Sequence, residues 1–177
     1  MEFQKLIESR RSVRKYAERE VDREMLEEMI SAASEAPSWK NQQTSRYHCV
    51  VSKDMLEDLR KSCLPGFNAK RSENAALIVT SFVKDTVGYI DSETPVNELG
   101  NGWGIYDLGL QTQNLILKAK DMGLDTLIMG IRDADKIREL LDIPEDEMIV
   151  SVIAVGYADE EPVKPSRKKV SETAKFY

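Results

Sequence analysis

The chain has 177 residues, of which 41% are hydrophobic and 32% are charged, and its formal net charge is -6. This length fits one ordinary domain with a hydrophobic core of its own. The negative charge argues against general nucleic-acid binding, because phosphate backbones repel an acidic surface, so a tight cluster of Arg and Lys is informative about a local anion site.

Two features of the sequence predict the cellular location of the protein. Met1 to Lys5 leads directly into a charged helical pattern, unlike a secretory signal peptide. No apolar run approaches the ~20 residues needed to span a bilayer. We therefore expect a cytoplasmic protein that does not enter a membrane. Cys49 and Cys63 could pair, but unpaired buried thiols are favoured in a reducing compartment.

The first half of the chain predicts three helices and two strands. In chain order, the pattern predicts a short helix around 3–7, a helix from about 22 to before Pro37, a polar loop at 37–45, a strand at 47–51, a helix at 54–62 and a buried strand at 75–81. Asp22 is a candidate N-cap of the second helix. Pro37 ends that helix, because the residue before a proline disfavours the helical conformation.

The second half begins with residues 84–102, whose mixed charge and weak periodicity predict the least ordered part of the chain, a lid or surface excursion. The elements that follow are a long apolar helix at about 104–122, a strand at 124–129, a short helix at 133–141 and a strand at 147–156. Alternating helices and buried strands favour an α/β or α+β domain in which helices cover a central sheet. The absence of a Gly-rich phosphate loop argues against a Rossmann dinucleotide site.

Two basic clusters near the ends of the chain are candidate anion sites. The first is the run Arg10-Arg11-Ser12-Val13-Arg14-Lys15, and the second contains Arg167 and Lys168. Arginine forks match phosphate oxygens, and a serine hydroxyl adds a hydrogen bond. In an extended run, alternate side chains would face one side. Alternatively, the first cluster is a solvated helix end and the second a charged tail, and the sequence does not show whether they meet.

Two further polar groups lie between these clusters. Asn68 and Arg71 could share one side of a helix, where the amide would contact a ring edge and the guanidinium a phosphate or carbonyl. The loop at 37–45 offers Ser38 and Asn41 as hydrogen-bonding groups and Trp39 for stacking. The simpler alternatives are a soluble helix surface and a tryptophan that only anchors its loop.

The sequence lacks several kinds of catalytic machinery. His48 is the only histidine, and it lies in a predicted strand, where a structural role is more usual than catalysis. A Ser-His-Asp triad that does not use His48 is excluded. There is no Cys-x-x-Cys and no His-rich ligand set, so a metal site is not expected. An enzyme built on this chain would take its chemistry from a bound cofactor rather than from a catalytic side chain.

Six stretches, in the same order along the chain, resemble motifs of the FMN-dependent nitroreductases. They are Arg10-Arg11-Ser12-Val13-Arg14-Lys15-Tyr16; Ala36-Pro37-Ser38-Trp39-Lys40-Asn41-Gln42-Gln43; Asn68 with Arg71; Asp107-Leu108-Gly109 through Gln113-Asn114-Leu115; Gly123-Leu124 with Met129-Gly130; and Gly156-Tyr157 with Ser166-Arg167-Lys168. Each is short, but together they extend over nearly the whole chain. The chain departs from the family where Thr44-Ser45, rather than Pro-Trp, follows Gln43, and in the short stretch from 83 to 102.

The resemblance implies a single α+β domain over residues 1–177, with a central mixed or antiparallel sheet flanked by helices, in an intertwined homodimer with its sites at the subunit interface. It implies FMN as cofactor and NAD(P)H as electron donor, with a nitroaromatic, quinone or similar small electron-poor molecule reduced by a ping-pong mechanism. The implied FMN contacts are Arg10, Arg11, Ser12 and Arg14 at the phosphate, ribityl chain or pyrimidine edge, Arg167 and Lys168 at the phosphate, Asn68, Arg71, Met129 and Gly130 at the ring, and Pro37, Ser38, Trp39 and Asn41 from the second subunit.

Two other classes of function stay open at this point. One is a flavoenzyme of the same fold with different chemistry, such as reductive dehalogenation or dehydrogenation. The other is a non-enzymatic, anion-binding regulatory domain.

Overall fold

The computed structural model describes residues 2–177. Within that range, no helix is both long and apolar enough to cross a membrane. The helices are α1 (Phe3–Ser9), α2 (Arg23–Ser34), α3 (Lys53–Cys63), α4 (Gly66–Arg71), α5 (Gly102–Asp121), α6 (Ala134–Leu141) and α7 (Val170–Thr173), and the strands are β1 (Ser45–Val50), β2 (Ala76–Val83), β3 (Asp125–Met129) and β4 (Glu147–Gly156).

The four strands form one antiparallel sheet in the order β1-β2-β4-β3. β2 and β4 occupy the centre and pair along the whole length of β2. Their nearly continuous apolar sequences are typical of strands buried on both faces, and residues 76–82 are all buried. The prediction of a central sheet flanked by helices is confirmed, and the strand pairing is antiparallel throughout.

Helices cover both faces of the sheet. Because successive residues of a strand face opposite sides, Leu77 and Ile78 of β2 enter different cores. Leu77 packs with Leu59 of α3 on one face, while Ile78 packs with Met29 of α2 and Leu115 of α5 on the other. All five side chains are fully buried, and each stabilises the fold by about 1.5–3 kcal/mol relative to exposure.

Two helices were not predicted from the sequence. Pro65 lies two residues after the last residue of α3 and serves as the extended N-cap residue from which α4 begins at Gly66. A proline is suited to both positions because it cannot continue the preceding helix and its fixed φ is compatible with the start of the next. α7 is a single turn in the C-terminal segment.

The segment at 84–101, predicted to be the least ordered, is a turn-rich excursion closed by hydrogen bonds. The Asp85 N–H donates to Asn101 Oδ1 (2.8 Å), and Asn101 Nδ2 donates back to Asp85 Oδ1 (2.8 Å). Within the excursion, the Asp91 carboxylate accepts from the Thr94 N–H (2.7 Å). Such local side-chain bonds leave no trace in hydrophobic periodicity, which is why the sequence pattern missed them.

His48 has the structural environment that its strand position predicted. Its Nε2 lies 2.8 Å from Glu147 Oε2 and 3.2 Å from Ser81 Oγ. One nitrogen therefore contacts both neighbours, whereas a hydrolytic triad uses both nitrogens of the imidazole ring. Cys49 and Cys63 are unpaired, but only Cys63 is buried, so the expectation of buried thiols is wrong for Cys49.

Candidate functional site

The basic run near the N-terminus lies along the outer edge of β3. Ser12 forms a parallel bridge with Thr126, and the Val13 N–H donates to Thr126 O (3.1 Å). Val13 is buried in the core, so the alternating side chains of Ser12 and Arg14 point away from it. Tyr16 secures the run, because its buried hydroxyl donates to Val13 O (2.9 Å). The predicted extended conformation is thus produced by pairing with an edge strand.

The second basic cluster acts electrostatically on the first. Burial of the partly exposed Arg10, followed by the positive charges of Arg167 and Arg11, lowers the pKa of Arg10. The buried carboxylate of Asp125 acts in the opposite direction. The charge of Arg167, from the far end of the chain, therefore acts on Arg10 of the N-terminal run. Lys168 follows it and is exposed.

The outer edge of β3 continues beyond the basic run. Because Thr126 O faces Val13, the backbone groups of Ile128, two residues further on, face the same outer edge, and Gly130 follows the last residue of β3. Gly130 is exposed there. The Met129 side chain is 2% exposed and lies in the core, so only its backbone can contribute to a ligand site. The implied contact of Met129 with a ring would therefore be made by its backbone.

Asn68 and Arg71 do not share one face of α4. Asn68 is buried, and its Nδ2 donates to Ile131 O (2.9 Å) in the loop after β3. Arg71 is exposed, and its guanidinium lies 5.3 Å from the centre of the Phe67 ring. Side chains three residues apart on a helix differ in direction by roughly 60°. At the edge of the buried face of α4, this difference is enough to bury Asn68 and leave Arg71 exposed. Asn68 therefore positions the loop after β3, while Arg71 projects into solvent.

The loop before β1 is built around strained backbone. Lys40, Asn41 and Gln43 have φ values of 49°, 56° and 50°, a region that costs non-glycine residues energy and is common at functional sites. The loop is fixed by the Trp39 N–H, which donates to Asp107 Oδ2 of α5 (2.8 Å), and by the Gln43 N–H, which donates to Ser38 Oγ (3.2 Å).

Aromatic packing adds to this attachment. The centres of the Trp39 and Trp103 rings are 5.0 Å apart, and those of Trp103 and Tyr106 are 5.9 Å apart. Pro37 and Asn41 are exposed on the loop. The 38–43 loop is thus attached to the N-terminal part of α5.

The candidate residues form two separate groups within one protomer. The basic run and Gly130 border β3, whereas the 38–43 loop leads into β1, and these strands are the opposite edges of the sheet. Three strand spacings, or about 14 Å, separate the two edges. A single protomer therefore does not bring Ser38, Trp39 and Asn41 to Arg10.

A cavity of about 1120 Å³ lies elsewhere, between residues 18–23 and helices α3 and α4. None of the predicted site residues lines it, and its rim mixes acidic and basic side chains. We nevertheless take the basic run, and not this cavity, as the candidate anion site, because the chemistry of the lining residues identifies such a site better than volume does.

Replacing Asp107 with alanine is expected to destabilise the protein by about 1–3 kcal/mol, because a hydrogen bond to a charged acceptor is lost and the Trp39 N–H loses its partner. Chemical denaturation would measure the loss, and hydrogen exchange at the Trp39 amide should accelerate. Asp107→Asn is the control, since its side-chain oxygen can still accept, and it should cost less. Equal losses in both variants would show that the hydrogen bond does not fix the loop.

Asp107, Asp125 and Trp103 were not singled out from the sequence as residues of the site. Asp107 appeared only within the motif of the long helix. Both Asp107 and Asp125 are buried. A carboxylate within an otherwise apolar stretch could have indicated them, because a buried charge is seldom without a partner. Trp103 gave no signal, because its contact with Trp39 joins distant parts of the chain.

Comparison with known proteins agrees with this architecture. The sequence model described as the nitroreductase family matches residues 7–157. A relative from Archaeoglobus fulgidus, provisionally named an NADH dehydrogenase/NAD(P)H nitroreductase, is 27% identical over 161 residues, which are 89% of this chain and 86% of the relative.

Solved structures share the fold. A nitroreductase family protein from Streptococcus pneumoniae TIGR4 superposes with a TM-score of 0.85 at 22% identity, over 99% of this chain and 100% of that one. A protein from Exiguobacterium sibiricum 255-15, determined in complex with FMN, superposes with a TM-score of 0.82 at 22% identity, over 100% of this chain and 98% of that one.

Proposed function

The chain belongs to the nitroreductase family, and on that premise we propose that it is an FMN-dependent oxidoreductase. It takes a hydride from NAD(P)H and reduces a small electron-poor substrate, such as a nitroaromatic or a quinone, in a ping-pong reaction. The observation that carries the proposal is the basic run of an acidic chain, which the Val13–Thr126 hydrogen bond fixes along the outer edge of β3. The positive charge of Arg167, from the other end of the chain, also acts on Arg10.

The donor set fits the phosphate of FMN. Guanidinium groups that come together repel one another, as the effect of Arg167 and Arg11 on the pKa of Arg10 indicates, and a phosphate dianion would relieve that repulsion through bidentate hydrogen bonds. The Ser12 hydroxyl and the Arg14 side chain lie on the outer side of the same run. Lys168 adds positive charge beside Arg167.

The edge of β3 fits the polar side of a flavin ring. The outward backbone groups of Ile128, and those of Gly130 just after the strand, can form hydrogen bonds with a planar heterocycle, and Asn68 fixes the adjoining loop through Ile131 O. Arg71, three residues after Asn68, is exposed and would reach such a ring only from solvent. Bound FMN would supply the capacity to accept a hydride from one molecule and pass it to another. The protein's part is binding and orientation, so no catalytic side chain is required.

We propose a homodimer in which Pro37, Ser38, Trp39 and Asn41 complete the partner's site. The separation of the two residue groups across the sheet supports this arrangement, since a second copy can bring them together. Large apolar side chains are also exposed on three elements: Phe3 and Ile7 on α1, Ile105 and Tyr106 on α5, and Val170 and Phe176 in the C-terminal segment. Exposed apolar surface of this kind is typical of an interface.

Light scattering coupled to size exclusion is expected to give twice the chain mass of 20.1 kDa. Ile105→Glu with Tyr106→Glu would place charges within the proposed interface and should shift the mass toward one chain and weaken FMN binding. A wild-type protein that stays monomeric at the concentrations at which it binds FMN would contradict the shared site.

The absorbance spectrum of the purified protein tests the function directly. We expect flavin bands in the visible, or their appearance on adding FMN, and bleaching of these bands by NADH or NADPH in the absence of oxygen. Re-oxidation by a panel of nitroaromatics, quinones and halogenated aromatics would then identify the reaction and separate reduction from dehalogenation. A protein that neither carries nor binds FMN would overturn the proposal.

A further inference from the structure

An acidic turn lies against the proposed phosphate-binding run. After β4 the chain passes residues 157–160 beside the run, where the Ala17 N–H donates to Tyr157 O (2.8 Å) and the Asp159 N–H donates to Lys15 O (2.9 Å). A bridge between Tyr16 and Ala158 lies between these two bonds. Backbone pairing therefore fixes the position of this turn relative to the basic run.

The two carboxylates of the turn have different partners. Asp159 Oδ2 lies 2.5 Å from Lys15 Nζ, so its charge is largely offset. Glu160 Oε1 instead accepts from the backbone N–H of Arg14 (2.5 Å). A backbone N–H carries no net charge, so this hydrogen bond places the Glu160 carboxylate at the segment that contains Arg10, Ser12 and Arg14 without a direct ion pair of its own.

We propose that Glu160 determines how strongly this site distinguishes phosphorylated from unphosphorylated flavin, an inference that rests on the proposed function. The carboxylate of Glu160 and the phosphate of FMN are both anions at one basic run, so each disfavours the other by Coulomb repulsion. Riboflavin carries the same ring and ribityl chain without the phosphate, so Glu160 leaves its binding unaffected. Glu160 therefore lowers the preference for FMN and makes bound FMN easier to exchange.

The Glu160→Gln variant isolates the charge. The glutamine Oε1 can still accept from the Arg14 N–H, so the turn keeps its place while the charge is removed. A unit charge and a phosphate dianion roughly 8–10 Å apart at a water-exposed surface interact enough to change an equilibrium constant about fivefold. We therefore expect FMN to bind the flavin-free variant about fivefold more tightly at low salt, with riboflavin affinity unchanged.

Glu161→Gln is the matched control, because it removes the same charge at the next residue, whose side chain is exposed. Dissociation constants for FMN and riboflavin would be measured by fluorescence titration of flavin-free wild type and both variants, at low salt and at 1 M KCl. The gain of Glu160→Gln for FMN should shrink at 1 M KCl, where the Debye length is about 3 Å.

Each outcome bears on the proposal. An FMN-specific gain in Glu160→Gln that exceeds any change in Glu161→Gln supports it. An equal gain in both variants would assign the effect to overall charge, and an equal gain for riboflavin would assign it to altered structure. No gain would show that Glu160 does not act on the site. Each of these three results overturns the inference and leaves the proposed function standing. Wild type that binds neither flavin would overturn the function itself.

Discussion

Replacing Arg10 with alanine is expected to weaken FMN binding by roughly ten- to a hundredfold. Arg10 is partly buried, and the positive charges of Arg167 and Arg11 both act on it. Charge-assisted hydrogen bonds contribute about 1.5–3 kcal/mol, and a guanidinium can make two of them to one phosphate. Titration of the flavin-free variant with FMN would measure the loss, while riboflavin affinity should fall much less.

Two comparisons show whether the loss is local. Arg23→Ala removes an equal charge from an exposed arginine that pairs with Glu27 (2.7 Å), and FMN affinity should change by less than about twofold. The double variant Arg10→Ala with Arg167→Ala should lose less than the two single losses combined, since residues that contact one group are energetically coupled. Strict additivity would show that the two arginines do not hold the same phosphate.

Replacing Gly104 with alanine is expected to cost about 3 kcal/mol of unfolding free energy, the largest stability effect we predict. A Cβ atom at this position would lie 2.3 Å from two carbons of the Phe82 ring. Phe82 is 1% exposed, so the ring has no open space into which to move, and α5 would have to shift away from β2. Overpacking of this kind commonly costs 1–3 kcal/mol or more. Chemical denaturation of variant and wild type would measure the difference.

We attribute this loss to a steric clash with Phe82 rather than to helix propensity, and two variants distinguish these causes. Gly66→Ala also places alanine at a helical glycine, but nothing lies within 4 Å of the added Cβ, so its stability should change by less than about 1 kcal/mol. Combining Gly104→Ala with Phe82→Leu removes part of the ring and should cost less than the sum of the single losses. Additive losses would contradict a clash between these two side chains.

The secondary structure followed closely from local signals. All four strands were predicted within a few residues, because each is a short apolar run bounded by polar or turn residues. α5 was also predicted, and Gly123 after it has the left-handed φ of 82° that glycine adopts readily at a helix end. α4 was not among the elements predicted in chain order, because Pro65-Gly66 at its start is also a common signal for the end of a helix. The region at 84–102 was expected to be a lid or surface excursion, and the turns at 84–101 are held by side-chain hydrogen bonds such as that between Asp85 and Asn101, which the sequence pattern did not reveal.

The candidate site was predicted as a set of residues but not as an arrangement. Arginine clusters and the family resemblance can be recognised in a linear sequence. The burial of a single side chain cannot be recognised in this way. Met129 and Asn68 were both expected at a flavin ring. The Met129 side chain packs in the core, and the Asn68 amide donates to Ile131 O. Asp107 drew attention only once its contact with Trp39 was visible.

The sequence alone determined most of the elements, the helix-covered sheet and the basic character of the candidate anion site, since these depend on periodicity and composition over short stretches. Only the tertiary structure decided that Arg167 acts on Arg10, that the 38–43 loop lies at the opposite edge of the sheet, and that Glu160 reaches Arg14. These contacts join residues far apart in the chain, and strand order and packing, which no local pattern encodes, bring them together. Long-range packing therefore brings the charges of Arg167 and Glu160 to bear on the basic run.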